Sequence, residues 1–142
     1  MPSVNFFNED VVFTLKNKIK VKDWIKSTIK AESYTLQELN YIFCSDQYLL
    51  QINQQYLDHD TYTDIITFDN SDKHQIITGD IFISIERIRE NALKFNSGLE
   101  NELHRVIIHG ALHLLGYQDK KADSKKLMTQ KEDHYLGLRN FT

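Results

Sequence analysis

Residues 107–119 have the sequence IIHGALHLLGYQD, which contains the pattern His-x-x-x-His-x-x-Gly-x-x-Asp. His109 and His113 are four residues apart, so on a helix their Cβ atoms lie about 6 Å apart on one face, and both rings can reach one metal ion. Gly116 can adopt the left-handed conformation that ends a helix, which would return Asp119 toward the same ion. Three protein ligands with a fourth tetrahedral position open to water are typical of a catalytic zinc. The segment therefore predicts one Zn²⁺, or a similar transition metal, bound by His109, His113 and Asp119.

The residues around this motif are almost all apolar, which predicts a buried helix. A helix that is apolar nearly all round lies in the interior of a fold and is covered on several sides. Two histidines with this spacing also occur on ordinary helices that bind no metal, but a buried setting, a glycine stop and a following carboxylate together favour the metal site. The apolar residues are Leu103, Val106, Ile107, Ile108, Leu112, Leu114 and Leu115.

The same ligand spacing occurs in a well-known protease signature, in which a glutamate directly after the first histidine is the general base. In this chain Gly110 occupies that position, and a glycine cannot accept a proton from water. The motif keeps the geometry of a metal site but disfavours peptide hydrolysis by that mechanism.

The composition indicates an ordinary globular chain. It has 142 residues, of which 41% are hydrophobic and 26% charged, so we expect one domain over residues 1–142 with a sizeable core. Cys44 is the only cysteine, which excludes an internal disulfide and a cysteine-based zinc cluster. No signal peptide or membrane span is recognisable, so the sequence predicts a cytoplasmic location and no membrane partner.

Charge is distributed unevenly along the chain. The net charge of −3 argues against a globally basic nucleic-acid binder. Lys120, Lys121, Lys125 and Lys126 nevertheless follow the third predicted ligand directly, where positive charge would help to hold a polyanionic substrate. The lysines of the N-terminal third are interpreted as a solvated surface.

Alternating and helical periodicities predict an α+β fold with a small mixed β-sheet packed against helices, and with the metal-bearing helix at its centre. Ser97 is expected to cap this central helix, which runs to Leu115. Strands are predicted at 3–8, 11–15, 39–45, 63–69 and 79–85, and the other helices at 21–31, 47–56, 85–95 and 123–136.

Four segments resemble a known family, the YbeY-type endoribonucleases that act as rRNA maturation factors. HGALHLLGYQD (109–119) is similar to the family's His-Gly-x-Leu-His-Leu-x-Gly-Tyr-Asp-His signature. INQQYLDHDTYTDIITFD (52–69), GDIFIS (79–84) and ENELHRVIIHG (100–110) resemble other family segments in the same order. The resemblance covers about residues 39–135.

The resemblance implies a function. It implies a single-strand-specific, metal-dependent endoribonuclease that hydrolyses phosphodiester bonds during rRNA maturation, at the 3′ end of 16S rRNA, and in ribosome quality control. The implied partners are rRNA and the small ribosomal subunit or its assembly factors. The general base, the native metal and the oligomeric state are left open.

Two departures from the family pattern bear on the site. The third ligand is usually a histidine in the family, and here it is Asp119; a carboxylate can bind zinc, but its charge should leave a bound water somewhat less acidified. The family has an arginine where this chain has Leu57. If that arginine holds a phosphate, Arg105 and His59 are the candidate catalytic residues to replace it, although each could equally be structural.

Three alternatives stay open from the sequence. A non-catalytic ribosome assembly factor with a structural metal is favoured slightly by Leu57, a metzincin-like protease is disfavoured by Gly110, and a plain α+β domain would bind no metal. Asp64 and Asp80 are expected to cap or turn the chain, with contact to a metal ligand as the alternative. His104 is expected to be a packing or surface residue, and His134 could reach the site only if the last helix folds back.

Overall fold

The computed structural model describes residues 2–57 and 63–141, which form four strands and five helices in the described part of the chain. In chain order the elements are β1 (Ser3–Glu9), α1 (Lys18–Ala31), β2 (Thr35–Cys44), α2 (Asp46–Leu57), β3 (Ile65–Asp69), β4 (Ile76–Ser84), α3 (Ile85–Lys94), α4 (Leu99–Leu114) and α5 (Ala122–Gly137).

The strands form one mixed sheet in the order β1-β2-β4-β3. β1, β2 and β4 are parallel, and β3 runs antiparallel to β4 at the edge. Parallel neighbours need a crossover, and helix α1 makes it between β1 and β2. The predicted α+β class with a small mixed sheet is confirmed.

The two faces of the sheet carry different layers. Leu39, Tyr41 and Phe43 alternate along β2 on the face that belongs to the main core with α1 and α4. Cys44 lies on the other face, in a smaller cluster with Leu49 of α2 and with Ile66 of β3. Successive side chains of a strand point to opposite faces of the sheet, so each face packs against its own set of helices.

Helix α4 lies at the centre of the molecule, as the apolar run predicts. Ile107, Ile108 and Leu112 have no exposed surface. The Tyr41 hydroxyl donates to the Ile107 carbonyl oxygen at 2.9 Å. A Cβ on Gly110 would lie 2.9 Å from a methyl of Ile65 and 3.0 Å from Ile81, so this glycine lets the helix approach β3 and β4 closely. No described helix is both long and apolar enough to cross a membrane.

The predicted strand at 11–15 is wrong, because these residues form an irregular crossover. β1 pairs only with the parallel β2 in the described sheet, so the chain leaves it toward α1 instead of turning back as a hairpin. The Asn8 side-chain amide donates to the Phe13 carbonyl oxygen at 2.7 Å, and Phe13 packs against Phe43 with ring centroids 5.1 Å apart. Val11, Phe13 and Leu15 therefore pack against the core without joining the sheet, whereas Val12 is exposed.

The prediction that Ser97 caps the central helix is also wrong. The N-cap is Gly98, while the Ser97 backbone N–H donates to the Ala92 carbonyl oxygen at 2.9 Å. Asn96 before it has a φ of 54°. These are the features of a Schellman motif, so Ser97 closes helix α3 and is not available to start α4.

Candidate metal centre

Helix α4 ends in the turn that the glycine predicts. Gly116 has a φ of 100°, and its N–H donates to the His113 carbonyl oxygen at 3.0 Å. The Tyr117 N–H donates to the Leu112 carbonyl oxygen at 3.1 Å. This Schellman motif satisfies the last carbonyls of the helix and reverses the chain, so Asp119 returns toward the helix face that carries the histidines.

Three candidate ligand atoms converge at this turn. The Nε2 atoms of His109 and His113 are 3.0 Å apart, and each lies 3.3 Å from Oδ2 of Asp119. Ligands about 2.0–2.1 Å from a tetrahedral zinc are about 3.3 Å from one another. The three side chains are 20–34% exposed. The donor set therefore fits one small cation that remains reachable from outside.

The outer nitrogens of the two rings are held by acceptors. His109 Nδ1 lies 2.5 Å from Oε2 of Glu132, and His113 Nδ1 lies 3.0 Å from the Tyr117 carbonyl oxygen. A neutral ring that donates from Nδ1 presents the lone pair of Nε2. Both lone pairs thus face the carboxylate of Asp119, an electron-rich arrangement that a bound cation stabilises.

Glu132 is a residue of this site that the sequence analysis missed. It is buried on α5, 7% exposed, and its second oxygen accepts from Arg105 at 2.8 Å. Burial lowers the pKa of His109, but the hydrogen bond and the charge of Glu132 outweigh it and raise that pKa. The sequence did contain one indication that Glu132 is buried. It lies on the same face of the last helix as the apolar residues Met128, Tyr135 and Leu136.

Arg105 does reach the site, but as part of an ion-pair network. Its Nη1 contacts Glu132 and its Nη2 lies 2.7 Å from Oδ1 of Asp133. These contacts join α4 to α5 directly behind His109. The phosphate role of Arg105 stays a prediction, and His59 lies outside the described residues.

A cleft of about 230 Å³ opens beside the first histidine, and Asp64 faces it. Burial raises the pKa of this carboxyl, and the charges of His109 and Arg87 partly oppose the rise. The Asp64 carbonyl oxygen accepts from the Ser84 N–H at 3.0 Å, which fixes the residue just before β3. Asp64 therefore both precedes a strand and lies in the cleft beside His109, a candidate ligand. The cleft is lined by Asp64, Glu102, Arg105, Val106, His109 and Glu132.

Other polar candidates lie away from the three ligands. His134 is exposed on α5, and Asp80 faces the opposite side of the sheet, where it accepts from Asn40 at 3.0 Å and from Asn70 at 3.2 Å. His104 is a packing residue, 1% exposed. The four lysines after Asp119 are exposed.

Comparison with known proteins gives one consistent family. The sequence profile of the family described as Endoribonuclease YbeY matches residues 5–139. The chain is 52% identical to the Endoribonuclease YbeY of Cytophaga hutchinsonii over 98% of this chain and 97% of that protein. It is 51% identical to the Endoribonuclease YbeY of Flavobacterium psychrophilum over 93% of this chain and 94% of that protein. The solution structure of TM1509 from Thermotoga maritima superposes with a TM-score of 0.66 at 28% identity, over 94% of this chain and 87% of that one.

Proposed function

Because this chain belongs to the YbeY endoribonuclease family, we propose that it uses one bound metal ion to cleave single-stranded RNA during rRNA maturation. Family membership over nearly the whole chain supports an endoribonuclease with RNA as its substrate. The metal dependence is supported by the single observation that Nε2 of His109, Nε2 of His113 and Oδ2 of Asp119 lie within 3.3 Å of one another.

His109, His113 and Asp119 would hold the metal, and zinc is the best match to two imidazoles and one carboxylate at these separations. When bound, the metal would acidify a water molecule and polarise a phosphoryl oxygen. Glu132 and the Tyr117 carbonyl keep both rings in the tautomer that presents Nε2. The ligand set would therefore be prepared before the metal arrives.

Asp64 is our candidate for the proton acceptor. Its carboxyl lines the cleft beside His109, and burial raises its pKa toward the working range of a general base. Glu102, in the same cleft, has its pKa raised by burial while Arg105 opposes the rise. Of the two we favour Asp64, because the charge of His109 acts on its pKa, whereas the charges that act on the pKa of Glu102 are those of Arg105, Asp64 and Glu132.

RNA would approach over the exposed lysines that follow Asp119. Lys120, Lys121, Lys125 and Lys126 supply positive charge next to carboxylates that would otherwise repel phosphates. We assign the substrate to the 3′ end of 16S rRNA, the partners to the small subunit and its assembly factors, a further role to ribosome quality control, and the location to the cytoplasm. Residues 1–142 would act as one domain.

The test is RNA cleavage by purified protein with and without a chelator. We expect cleavage of single-stranded RNA that is lost on chelation and restored by zinc, while an unstructured peptide stays intact. Asp119→Ala should lower both metal affinity and cleavage. The exposed Asp123 on α5 provides the matched control, because Asp123→Ala removes a nearby carboxylate and should change neither. Full metal content in Asp119→Ala would place the third ligand elsewhere.

A non-catalytic assembly factor with a structural metal is the second candidate. It is favoured by Leu57 and by the engagement of Arg105 with Glu132 and Asp133, which leaves fewer cations for a scissile phosphate. Stoichiometric metal without chelator-sensitive RNA cleavage would decide for this candidate.

A further inference from the structure

Glu32 forms a cluster outside the ligand set. It is the C-cap residue of α1, and its side chain is 12% exposed. One carboxylate oxygen accepts from the Tyr117 hydroxyl at 2.5 Å, and the other accepts from the Tyr135 hydroxyl and from Lys131 Nζ at 3.2 Å. Three donors from two different segments therefore meet on one carboxylate.

Two of these donors, Tyr117 and Lys131, lie next to groups that hold the candidate metal ligands. Tyr117 offers its carbonyl oxygen to His113 Nδ1 at 3.0 Å and lies two residues before Asp119. Lys131 directly precedes Glu132, which holds His109 Nδ1. Helix α1 is thus connected through Glu32 to the outer partner of each histidine and to the loop that carries the third ligand.

The hydrogen bonds of this cluster are made to a charged carboxylate. Burial would raise the pKa of Glu32, but the hydrogen bonds from Tyr117, Tyr135 and Lys131 outweigh it and lower that pKa. Lys131 also lies over the Tyr117 ring, 5.5 Å from its centroid. Hydrogen bonds to a charged acceptor are roughly twice as strong as neutral ones, so this carboxylate can hold α1, α5 and the ligand loop together.

We propose that Glu32 is a positioning residue for the metal centre. Its carboxylate holds Tyr117 and α5 in the one arrangement in which the Tyr117 carbonyl and Glu132 both accept from the histidines, and in which Asp119 faces their Nε2 atoms. The inference rests on the proposed function in taking His109, His113 and Asp119 as the ligands.

The experiment measures metal binding without RNA. Affinities for Zn²⁺ are obtained by competition with a chromophoric chelator, and the absorption spectrum of bound Co²⁺ reports the ligand geometry. Glu32→Gln keeps the shape of the side chain but places an amide N–H₂ against donors. We expect it to weaken Zn²⁺ binding about 10-fold, the lower end of the effect of outer partners, and to alter the Co²⁺ spectrum.

Tyr117→Phe removes one hydroxyl with little risk to folding, and it should weaken Zn²⁺ binding in the same direction. Since the two residues act through one contact, the double variant should lose less than the sum of the single losses. Asp80→Asn is the matched control. It changes a carboxylate that accepts two hydrogen bonds on the opposite face of the sheet, so it should alter stability alone.

Wild-type affinity and an unchanged Co²⁺ spectrum in both Glu32→Gln and Tyr117→Phe would overturn the inference, even if stability fell as it does in Asp80→Asn. If Glu32→Gln does not fold, Tyr117→Phe decides alone. Failure of the wild-type protein to bind Zn²⁺, or full binding by His109→Ala, would contradict the proposed metal centre itself. The two failures are therefore distinguishable.

Discussion

Two of the histidines on helix α4, His104 and His109, have surroundings of opposite character. The His104 ring packs against Trp24 and Phe141 with centroids 5.8 and 5.4 Å away, and its Nδ1 lies 2.9 Å from Nη1 of Arg139. Nδ1 of His109 instead faces the carboxylate of Glu132. Burial and the Arg139 charge lower the pKa of His104 to about 4. The pKa of His109 is raised because Glu132 outweighs the effect of burial.

The difference teaches that the partner of Nδ1 decides what a buried histidine can do. A guanidinium has no acceptor, so His104 must be neutral and must accept at Nδ1. A carboxylate has no donor, so His109 must donate at Nδ1, and its neutral ring then presents the Nε2 lone pair, which a metal can use. Five residues on a helix correspond to a rotation of about 140° between faces, enough to give the two rings different neighbours.

Replacing the histidines one at a time gives the largest expected effect. His109→Ala removes a candidate ligand and should weaken Zn²⁺ binding by more than about 100-fold, beyond the range for outer partners. RNA cleavage should be lost with it. His104→Ala removes a similar ring from the same helix and should lower stability by about 3 kcal/mol through the cavity it leaves, with Zn²⁺ stoichiometry unchanged. Metal analysis of the purified proteins and denaturant unfolding measure the two outcomes.

The opposite pattern would break the comparison. A loss of bound metal in His104→Ala, with full occupancy in His109→Ala, would show that packing around Trp24 supports the site and that His109 does not.

A smaller loss of Zn²⁺ affinity is expected from substitution of Glu132, whose carboxylate distinguishes the surroundings of His109 from those of His104. Glu132→Gln keeps an acceptor oxygen for His109 but removes the charge, so Zn²⁺ affinity should fall about 10-fold, within the range for outer partners. Asp133→Asn is the control. Asp133 shares Arg105 with Glu132 but is 60% exposed, so its loss should change Zn²⁺ affinity little. Equal losses from both substitutions, in chelator competition, would assign the effect to Arg105 instead of to His109.

The fold and the candidate ligand cluster were predictable from the sequence where local periodicity carries the information. The apolar run of α4, the spacing of His109 and His113 and the stop at Gly116 are all local, and the structure has the buried helix and the Schellman turn that they predict. The convergence of Asp119 on the histidines agrees with that expectation. The spacing alone predicted a metal site and disfavoured a protease. The family resemblance added the RNA substrate, but it left a nuclease and a non-catalytic assembly factor open.

The parts that the sequence analysis missed depend on contacts between distant segments. Glu132 lies 23 residues after His109 and Glu32 lies 85 before Tyr117, and no local pattern pairs them. Residues 11–15 have the composition of a strand. Because β1 pairs in parallel with β2, the chain crosses over after β1, and residues 11–15 do not form a hairpin with it. The missing base was the only role that the sequence indicated for Gly110, whereas the close approach of this glycine to Ile65 depends on how the helix packs on the sheet.

The smallest expected effect is a pH dependence of stability that belongs to His104. Its pKa is about 4 in the folded protein and about 6.5 in the unfolded chain. Between these values the unfolded chain binds a proton that the folded protein does not, so stability falls as the pH drops below 6.5 and stops falling near 4. Between pH 7 and pH 5.5 the loss should be about 1 kcal/mol. His104→Gln keeps an acceptor for Arg139 without a titrating group, so its unfolding free energy should fall less over the same interval. The two proteins are unfolded with urea at the same zinc concentration, so that protons displaced by the metal cancel between them. Parallel pH profiles would mean that folding does not lower the pKa of His104, and the contrast with His109 would then have to rest on geometry alone.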